Sequence, residues 1–208
     1  NSGKIANSIV YLINKDDEPA IEGLQAAGFA MSIHYSPSDR GIIENCGVIS
    51  TETATVPSIK AEGVAAGFIW QNYGTLKGSY VRAMNSYEDV VIQGYEAYGF
   101  IYSGNASVGG NSVEECYVVG TVKGSLNAAG FVGSNNADGV IKKCYANANV
   151  SASLTNELAK ASGFAHWSGG KNQWNENDAT VYKHWIVNCY AAGTVSGYTT
   201  SGFAYSAF

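Results

Sequence analysis

The chain has 208 residues, a formal net charge of −5 and 46% hydrophobic residues, enough apolar material for one packed domain. Only 14% of the residues are charged and no basic block occurs, so nucleic acid and anionic membrane surfaces are excluded as expected partners. No apolar run approaches the roughly 18 residues that a spanning helix needs, so membrane insertion is not expected.

The dipeptide Gly-Phe recurs along the chain at intervals of roughly 30 to 40 residues, a period typical of solenoid repeats. Its copies are Gly28-Phe29, Gly67-Phe68, Gly99-Phe100, Gly130-Phe131, Gly163-Phe164 and Gly202-Phe203. A small residue precedes the pair in every copy but one, where Tyr98 stands instead. We predict a single repeat domain, 1–208, with units at about 1–38, 39–73, 74–110, 111–139, 140–180 and 181–208.

A second anchor lies between successive Gly-Phe pairs, an aliphatic residue followed three positions later by Cys or Ser. The Cys or Ser positions are Ser8, Cys46, Ser79, Cys116, Cys144 and Cys189. Tyr follows directly in four copies, at Tyr80, Tyr117, Tyr145 and Tyr190. We expect the Cys or Ser side chains to point inward and the tyrosines outward, because neighbouring residues of a strand face opposite sides.

The repeat unit is typical of strands rather than helices. Segments such as 116–122 are short, rich in β-branched and aromatic residues, and bounded by Gly, Asn and Ser. One unit cannot bury its own apolar face, whereas stacked units share a continuous core. The sequence therefore predicts an all-β fold, a right-handed parallel β-helix or closely related β-solenoid of about six coils.

The column two residues before the Cys or Ser anchor tests this stacking. It reads Ala6, Glu44, Lys77, Glu114, Lys142 and Val187, and its four charged members alternate in sign. Parallel stacking would place these residues above one another, where alternating charges attract. We therefore expect an exposed ladder of ion pairs between neighbouring coils.

The four cysteines fit no zinc-binding spacing, and no Cys-x-x-Cys occurs. We interpret them as buried free thiols, although stacking would also allow a strained disulfide between neighbouring coils. Asn- and Asp-rich corners at 135–139 and 175–178 are either calcium sites or plain turns. No metal or other cofactor is expected.

The stretch from Ala129 to Ala146 resembles the GLUG motif. Gly130, Phe131, Val132 and Gly133 match its naming tetrapeptide, and the matching residues that follow are Asn135, Gly139, Ile141, Cys144 and Tyr145. The other five copies are looser at the fourth position of the tetrapeptide. The resemblance implies a bacterial cell-surface or secreted context, in which such repeats form non-catalytic β-helical parts of adhesin-like proteins and of immunoglobulin A1-specific metallopeptidases.

Catalytic motifs are missing from the sequence. It contains no His-Glu-x-x-His, no Gly-x-Ser-x-Gly and no Walker loop, and its acidic residues scatter among loops instead of clustering. We therefore expect a structural or adhesive module and not an enzyme. Two alternatives stay open: a polysaccharide lyase or hydrolase, and a substrate-presenting domain of a surface protease.

Aromatic residues indicate where a ligand could bind. The column two residues after Phe is variable, and an insertion at 169–183 adds further aromatics. Exposed aromatics can stack on sugar rings or anchor a host protein. The predicted binding residues are Trp70, Tyr102, Trp167, Trp174 and Trp185. Alternatively, the tyrosine column simply stacks on itself and Trp174 fixes the long loop onto the coils.

Open strand edges on the outermost coils also predict end-to-end self-association.

Overall fold

The computed structural model describes residues 3–15, 17–33, 35–36, 39–51, 56–84, 89–105, 112–136, 139–168 and 185–207. Every regular element of this described part is a β-strand, which confirms the predicted all-β class. Within the same ranges there is no helix with the length and hydropathy needed to cross a membrane.

The first eleven strands run from the amino-terminal repeat into the third. They are β1 (Lys4–Ala6), β2 (Ile9–Leu12), β3 (Ile21–Ala27), β4 (Ala30–Ile33), β5 (Tyr35–Ser36), β6 (Asp39–Arg40), β7 (Ile42–Glu44), β8 (Gly47–Ser50), β9 (Ile59–Ala66), β10 (Ile69–Asn72) and β11 (Thr75–Lys77). The remaining strands are β12 (Tyr80–Ala83), β13 (Val91–Tyr98), β14 (Ile101–Asn105), β15 (Ser112–Glu114), β16 (Tyr117–Ala129), β17 (Val132–Asn136), β18 (Val140–Lys142), β19 (Tyr145–Ala152), β20 (Lys160–Ser162), β21 (Ala165–Ser168), β22 (Trp185–Val187), β23 (Tyr190–Ala192), β24 (Val195–Ser196), β25 (Thr199–Ser201) and β26 (Ala204–Ala207).

Three parallel sheets wind around one core. Face A has six strands in the order β1-β7-β11-β15-β18-β22, and face C has six in the order β4-β10-β14-β17-β21-β26. Face B is a 12-stranded sheet that contains β2, β3, β8, β9, β12, β13, β16, β19, β20, β23, β24 and β25. Consecutive strands of each six-stranded face come from consecutive repeats, so the chain passes from face to face and then returns one coil further along. This is the predicted parallel β-helix.

The six phenylalanines of the Gly-Phe pairs form a single column inside the coil. Neighbouring ring centroids lie 4.7–4.9 Å apart, and the ring planes are within 2–19° of parallel. The four inner rings are fully buried, at Phe68, Phe100, Phe131 and Phe164. Because each ring is covered by equivalent rings on both sides, the column sets the register of the whole stack.

Glycine before Phe is required by the close approach of neighbouring coils. A Cβ on Gly67 would collide with the carbonyl oxygen of Gly99, and one on Gly99 would collide with that of Gly130. These contacts involve backbone, which cannot move without breaking the ladder of hydrogen bonds. The Gly-Phe repeat is therefore a packing requirement of the stack.

The corner between faces A and B repeats one local geometry. The residue before each Cys or Ser anchor has a positive φ of 52–57°, at Asn7, Asn45, Gly78, Glu115, Lys143 and Asn188. The anchor side chain then donates to the carbonyl two residues earlier, as Cys116 Sγ does to Glu114 O at 3.2 Å. The amide of Cys116 donates in turn to Cys144 Sγ at 3.4 Å, so the anchors are linked from coil to coil.

The anchor column is inward, as predicted, at Cys46, Ser79, Cys116 and Cys144. All four cysteines are free; Cys189, in the last repeat, is only half-buried. A side-chain hydrogen bond with Cys116, together with burial, raises the pKa of Cys144 well above the ordinary range of thiols. The expectation of free thiols is confirmed.

Two outward columns also follow the predicted register. The tyrosines Tyr80, Tyr117, Tyr145 and Tyr190 stack with centroids 4.9–5.4 Å apart and planes within 3–13°. On face A, Glu44 lies between Ala6 and Lys77, and Glu114 lies between Lys77 and Lys142. Lys142 Nζ is 3.1 Å from Glu114 Oε2, which confirms an ion pair between neighbouring coils.

Candidate functional site

An outward column of large side chains runs along face C. Backbone pairing aligns Ile69, Ile101 and Val132, so the residues that follow them lie above one another. In chain order the column reads Met31, Trp70, Tyr102, Gly133, His166 and Tyr205. The rings of Trp70 and Tyr102 have centroids 5.1 Å apart at an angle of 35°, so the two predicted binding residues do meet.

Gly133 would leave a gap in this column, and Tyr98 fills it. Tyr98 is only 2% exposed although it comes from the end of a face B strand. A Cβ on Gly133 would lie 2.9 Å from the Tyr98 ring. The Tyr98 centroid is 5.5 Å from that of Tyr102 and 6.5 Å from that of His166, so the ring bridges two coils.

We call the resulting line of rings the aromatic row: Trp70, Tyr102, Tyr98, His166 and Tyr205. At its far end, the His166 and Tyr205 centroids are 5.5 Å apart, and Lys160 Nζ lies 4.7 Å from the centre of the Tyr205 ring. Ring planes tilt by 29–49° between Trp70 and His166, whereas the tyrosine column of face B is stacked flat. Trp70 and Tyr102 are half-buried, so part of each side chain is exposed at the surface of face C.

A carboxylate sits beside the aromatic row. Glu96 is half-buried, and its Oε2 accepts a hydrogen bond from Tyr98 Oη at 3.0 Å. Its Oε1 accepts another from Asn127 Nδ2 at 2.9 Å, since Asn127 is its neighbour on the next coil. Two donors therefore hold the carboxylate in one orientation.

Burial, with the nearby charge of Glu96, raises the pKa of both Tyr98 and Tyr102. Both phenols therefore stay protonated at neutral pH, and that of Tyr98 donates to Glu96. Burial lowers the pKa of His166, an effect that Glu96 opposes and Lys160 reinforces. His166 is therefore a neutral imidazole at pH 7.

An open groove of about 320 Å³ lies along these side chains. Its lining consists of Glu96, Tyr98, Tyr102, Ser103, Asn127, Gly133, Ser134, His166 and Trp167. Trp167 is 42% exposed and forms part of the wall next to His166. The groove thus combines aromatic surface with one carboxylate, one amide and two serine hydroxyls, the mixture typical of a small-molecule or oligosaccharide site.

Two ring nitrogens of the aromatic row are buried without a hydrogen-bond partner among the described residues, Trp70 Nε1 and His166 Nδ1. Buried polar atoms are nearly always paired in folded proteins. Both atoms have less than 1 Å² of exposed surface, so they contribute to the packing of the row and not to the open wall of the groove.

The predicted binding residues have three different outcomes. Trp70 and Tyr102 lie in the aromatic row, and Trp167 lines the groove beside it. Trp174 lies outside the described residues. Trp185 begins a strand of face A, opposite Val140, so its backbone belongs to a different sheet from the row.

Sequence reasoning missed Glu96, Tyr98 and Asn127. A signal for the site was nevertheless present in two exceptions to the repeat, since Tyr98 replaces a small residue and Gly133 replaces a large one. Neither exception by itself indicates that the two side chains meet.

Metal chemistry finds no support in the described residues, which contain no group of three or more His, Cys, Asp or Glu able to hold an ion. Of the two predicted corners, 175–178 lies outside the described residues. In the other, Asn135 is buried and its Nδ2 donates to Gly139 O at 3.1 Å, which is the role of a turn-forming residue.

No protein-family model matches the chain, and comparisons with curated proteins and with solved structures also gave no significant match. The resemblance to GLUG repeats therefore stays a prediction made from the residues.

Proposed function

We propose that this chain is a non-catalytic adhesive module of a bacterial cell-surface or secreted protein, and that its groove binds a glycan. The main support is the aromatic row with Glu96 and Asn127 held beside it. The surface context comes only from the resemblance of residues 129–146 to GLUG repeats.

A sugar ring has an apolar face of C–H groups and a polar edge of hydroxyls. The apolar face can lie against aromatic surface from Trp167 and from the tilted rings of Trp70 and Tyr102. The hydroxyls of the polar edge can form hydrogen bonds with the Glu96 carboxylate and the Asn127 amide. The two kinds of group run side by side along the coil axis, so a chain of sugars can contact both at once.

A host protein is a less suitable partner for this groove. Stable protein interfaces bury about 800 Å² on each partner and centre on fully desolvated side chains. The volume of about 320 Å³ and the mixed polar lining suit a narrow ligand better.

Hydrolysis or elimination finds less support than binding. Glycosidases need two carboxylates flanking the bond, and the described part of the lining supplies one, Glu96. A lyase needs a group able to remove a proton; the raised pKa of Tyr98 keeps its phenol protonated, which leaves His166 as the candidate base of the described lining. No observation favours a substrate-presenting role in a protease.

The experiment is a glycan and host-protein binding screen that compares the native chain with Trp167→Ala. Removing the exposed indole should weaken glycan binding at least about tenfold, the effect of losing one aromatic anchor. Tyr198→Ala is the matched control, since Tyr198 is 63% exposed and does not line the groove. Absence of glycan binding, or equal loss in both variants, would refute the proposal.

A further inference from the structure

The charge of the groove indicates which glycans it would prefer. Among the described residues of the lining, Glu96 is the single formally charged one, because His166 is neutral at pH 7. Its carboxylate is hydrogen-bonded by Tyr98 and Asn127 but forms no ion pair with any described residue. A half-buried carboxylate without a countercharge attracts a cation.

The nearest lysine along the same column does not supply that countercharge. Glu96 is followed by Asn127 on the next coil and by Lys160 on the one after. The Lys160 ammonium lies 4.7 Å from the centre of the Tyr205 ring, in the final repeat, and acts on the His166 side of the groove. The described residues show no ion pair between Lys160 and Glu96, so the Glu96 carboxylate is left available to a ligand.

A protonated amine beside Glu96 would meet favourable groups on more than one side. The carboxylate would accept a charge-assisted hydrogen bond, and its orientation is already held by two donors. The rings of Tyr102, His166 and Trp167 border the same groove and would contribute cation–π attraction. An anionic sugar would instead face the Glu96 charge.

We infer that the groove prefers oligosaccharides with free amino groups, such as β-linked glucosamine chains, over their N-acetylated and uronic acid counterparts. This inference rests on the proposed glycan-binding function. An oligosaccharide is favoured over a small quaternary amine because the groove is open along the coil axis and the aromatic row extends beyond it at both ends, to Trp70 and Tyr205.

The test is calorimetric titration of the chain with tetramers of glucosamine, N-acetylglucosamine and galacturonate, and with choline, at pH 6 and low salt. The glucosamine tetramer should bind about tenfold more tightly than the N-acetylated one, the scale of one charge-assisted hydrogen bond. Glu96→Gln should remove this difference while binding of the N-acetylated tetramer persists. Glu115→Gln is the control, because Glu115 is an exposed acid on the corner between faces A and B.

Each outcome separates this inference from the function on which it rests. Equal binding of the glucosamine and N-acetylated tetramers, or tighter binding of the galacturonate tetramer, would overturn the inference and leave glycan binding intact. Binding of choline without any sugar would overturn both and indicate an amine pocket. A preference that survives in Glu96→Gln, with the variant folded by circular dichroism, would also contradict it.

Discussion

Two exceptional residues in neighbouring repeats explain why the aromatic row is continuous. In the position of Tyr98 the other repeats have Ala or Ser, and in the position of Gly133 four of the other five have Trp, Tyr or His. The large side chain of one coil occupies the space that the missing side chain of the next would have filled. The two residues therefore form one packing unit, although they are far apart in sequence.

We predict that Gly133→Ala destabilises the chain by about 1–3 kcal/mol, because the added Cβ would lie 2.5 Å from the Tyr102 carbonyl oxygen and 2.9 Å from the Tyr98 ring. In a Tyr98→Ala background the substitution should lower the free energy of unfolding by about 1 kcal/mol less, because the ring contact is gone and only the backbone contact is left. Urea unfolding of both single variants and the double variant measures this coupling. Gly202→Ala is the control, since a Cβ there meets nothing within 4 Å, and strictly additive energies would contradict the prediction.

At the scale of the elements, each column serves a separate purpose. The phenylalanine column fills the core, and the Cys and Ser column joins the corners by hydrogen bonds. The charged column of face A lies at the surface, where ion pairs contribute little but favour the correct register. Loss of the exposed ion pairs should therefore matter much less than loss of the phenylalanine column.

Substitutions in the Cys column distinguish the contribution of hydrogen bonding to stability from that of side-chain size. Cys144→Ser should be close to neutral, because serine can donate and accept in the same places, as Ser79 does toward Lys77 O and Cys46 N. Cys144→Ala should cost about 1–3 kcal/mol, because the buried amide of Cys116 then loses its acceptor. Thermal unfolding measures both.

The raised pKa of Cys144 adds a chemical readout to the same position. A thiol that stays protonated and buried should react with iodoacetamide at pH 8 only after unfolding. Rapid labelling of Cys144 in the folded chain would contradict the proposed role.

The charged column predicts a loss of stability in acid. Lys4 lowers the pKa of Glu44, and Lys142 lowers that of Glu114, each chiefly through a side-chain hydrogen bond. A carboxyl whose pKa is lower in the folded state stabilises the fold above its ordinary pKa, about 4.3, and loses that contribution as the pH falls further. The melting temperature should therefore fall below that pH.

Glu114→Gln should show a smaller acid-induced decrease in melting temperature than the native chain, because one of the two face A carboxyls with a lowered pKa is absent. Glu157→Gln, which changes an exposed turn residue, serves as the control. Melting temperatures between pH 3 and pH 6 give the comparison, and identical slopes in all three proteins would count against the ion-pair ladder.

At the scale of the whole molecule, the coils form a quasi-one-dimensional stack in which each contacts its neighbours. Among the described strands of face B, β2 and β3 pair on one side only, as do β23, β24 and β25. Phe29 and Phe203, at opposite ends of the phenylalanine column, are half-buried rather than buried. The two ends are thus complementary, and we propose that separate copies of the chain can stack head to tail.

Sedimentation velocity over a range of concentrations tests this stacking. The register places Tyr190 of one copy opposite Ile9 of the next, because these residues occupy equivalent positions in the last and first coils. Ile9→Lys and Tyr190→Lys should each have little effect, while the double variant should stay monomeric because two lysines then meet at the junction. A native chain that remains monomeric throughout would refute the proposal.

Repetition by itself determined the class of fold, the parallel register and the inward or outward direction of the main columns. Phe100, Cys116 and Glu114 could be placed from sequence because equivalent side chains stack in one register only, and a shift would bring unlike residues together. The left-handed corners were indicated more weakly, since Glu115 and Lys143 give no hint of a positive φ.

Which residues come together to line the groove could be determined only from the tertiary structure. Glu96, Tyr98 and Asn127 lie on face B and Tyr102 and His166 on face C, and they meet because the chain bends between the two sheets. At such a bend, a side chain turns toward a neighbouring position that has no side chain, and here that position is on the next coil. A repeat pattern shows only what the coils share, whereas this groove depends on residues that differ between two neighbouring coils.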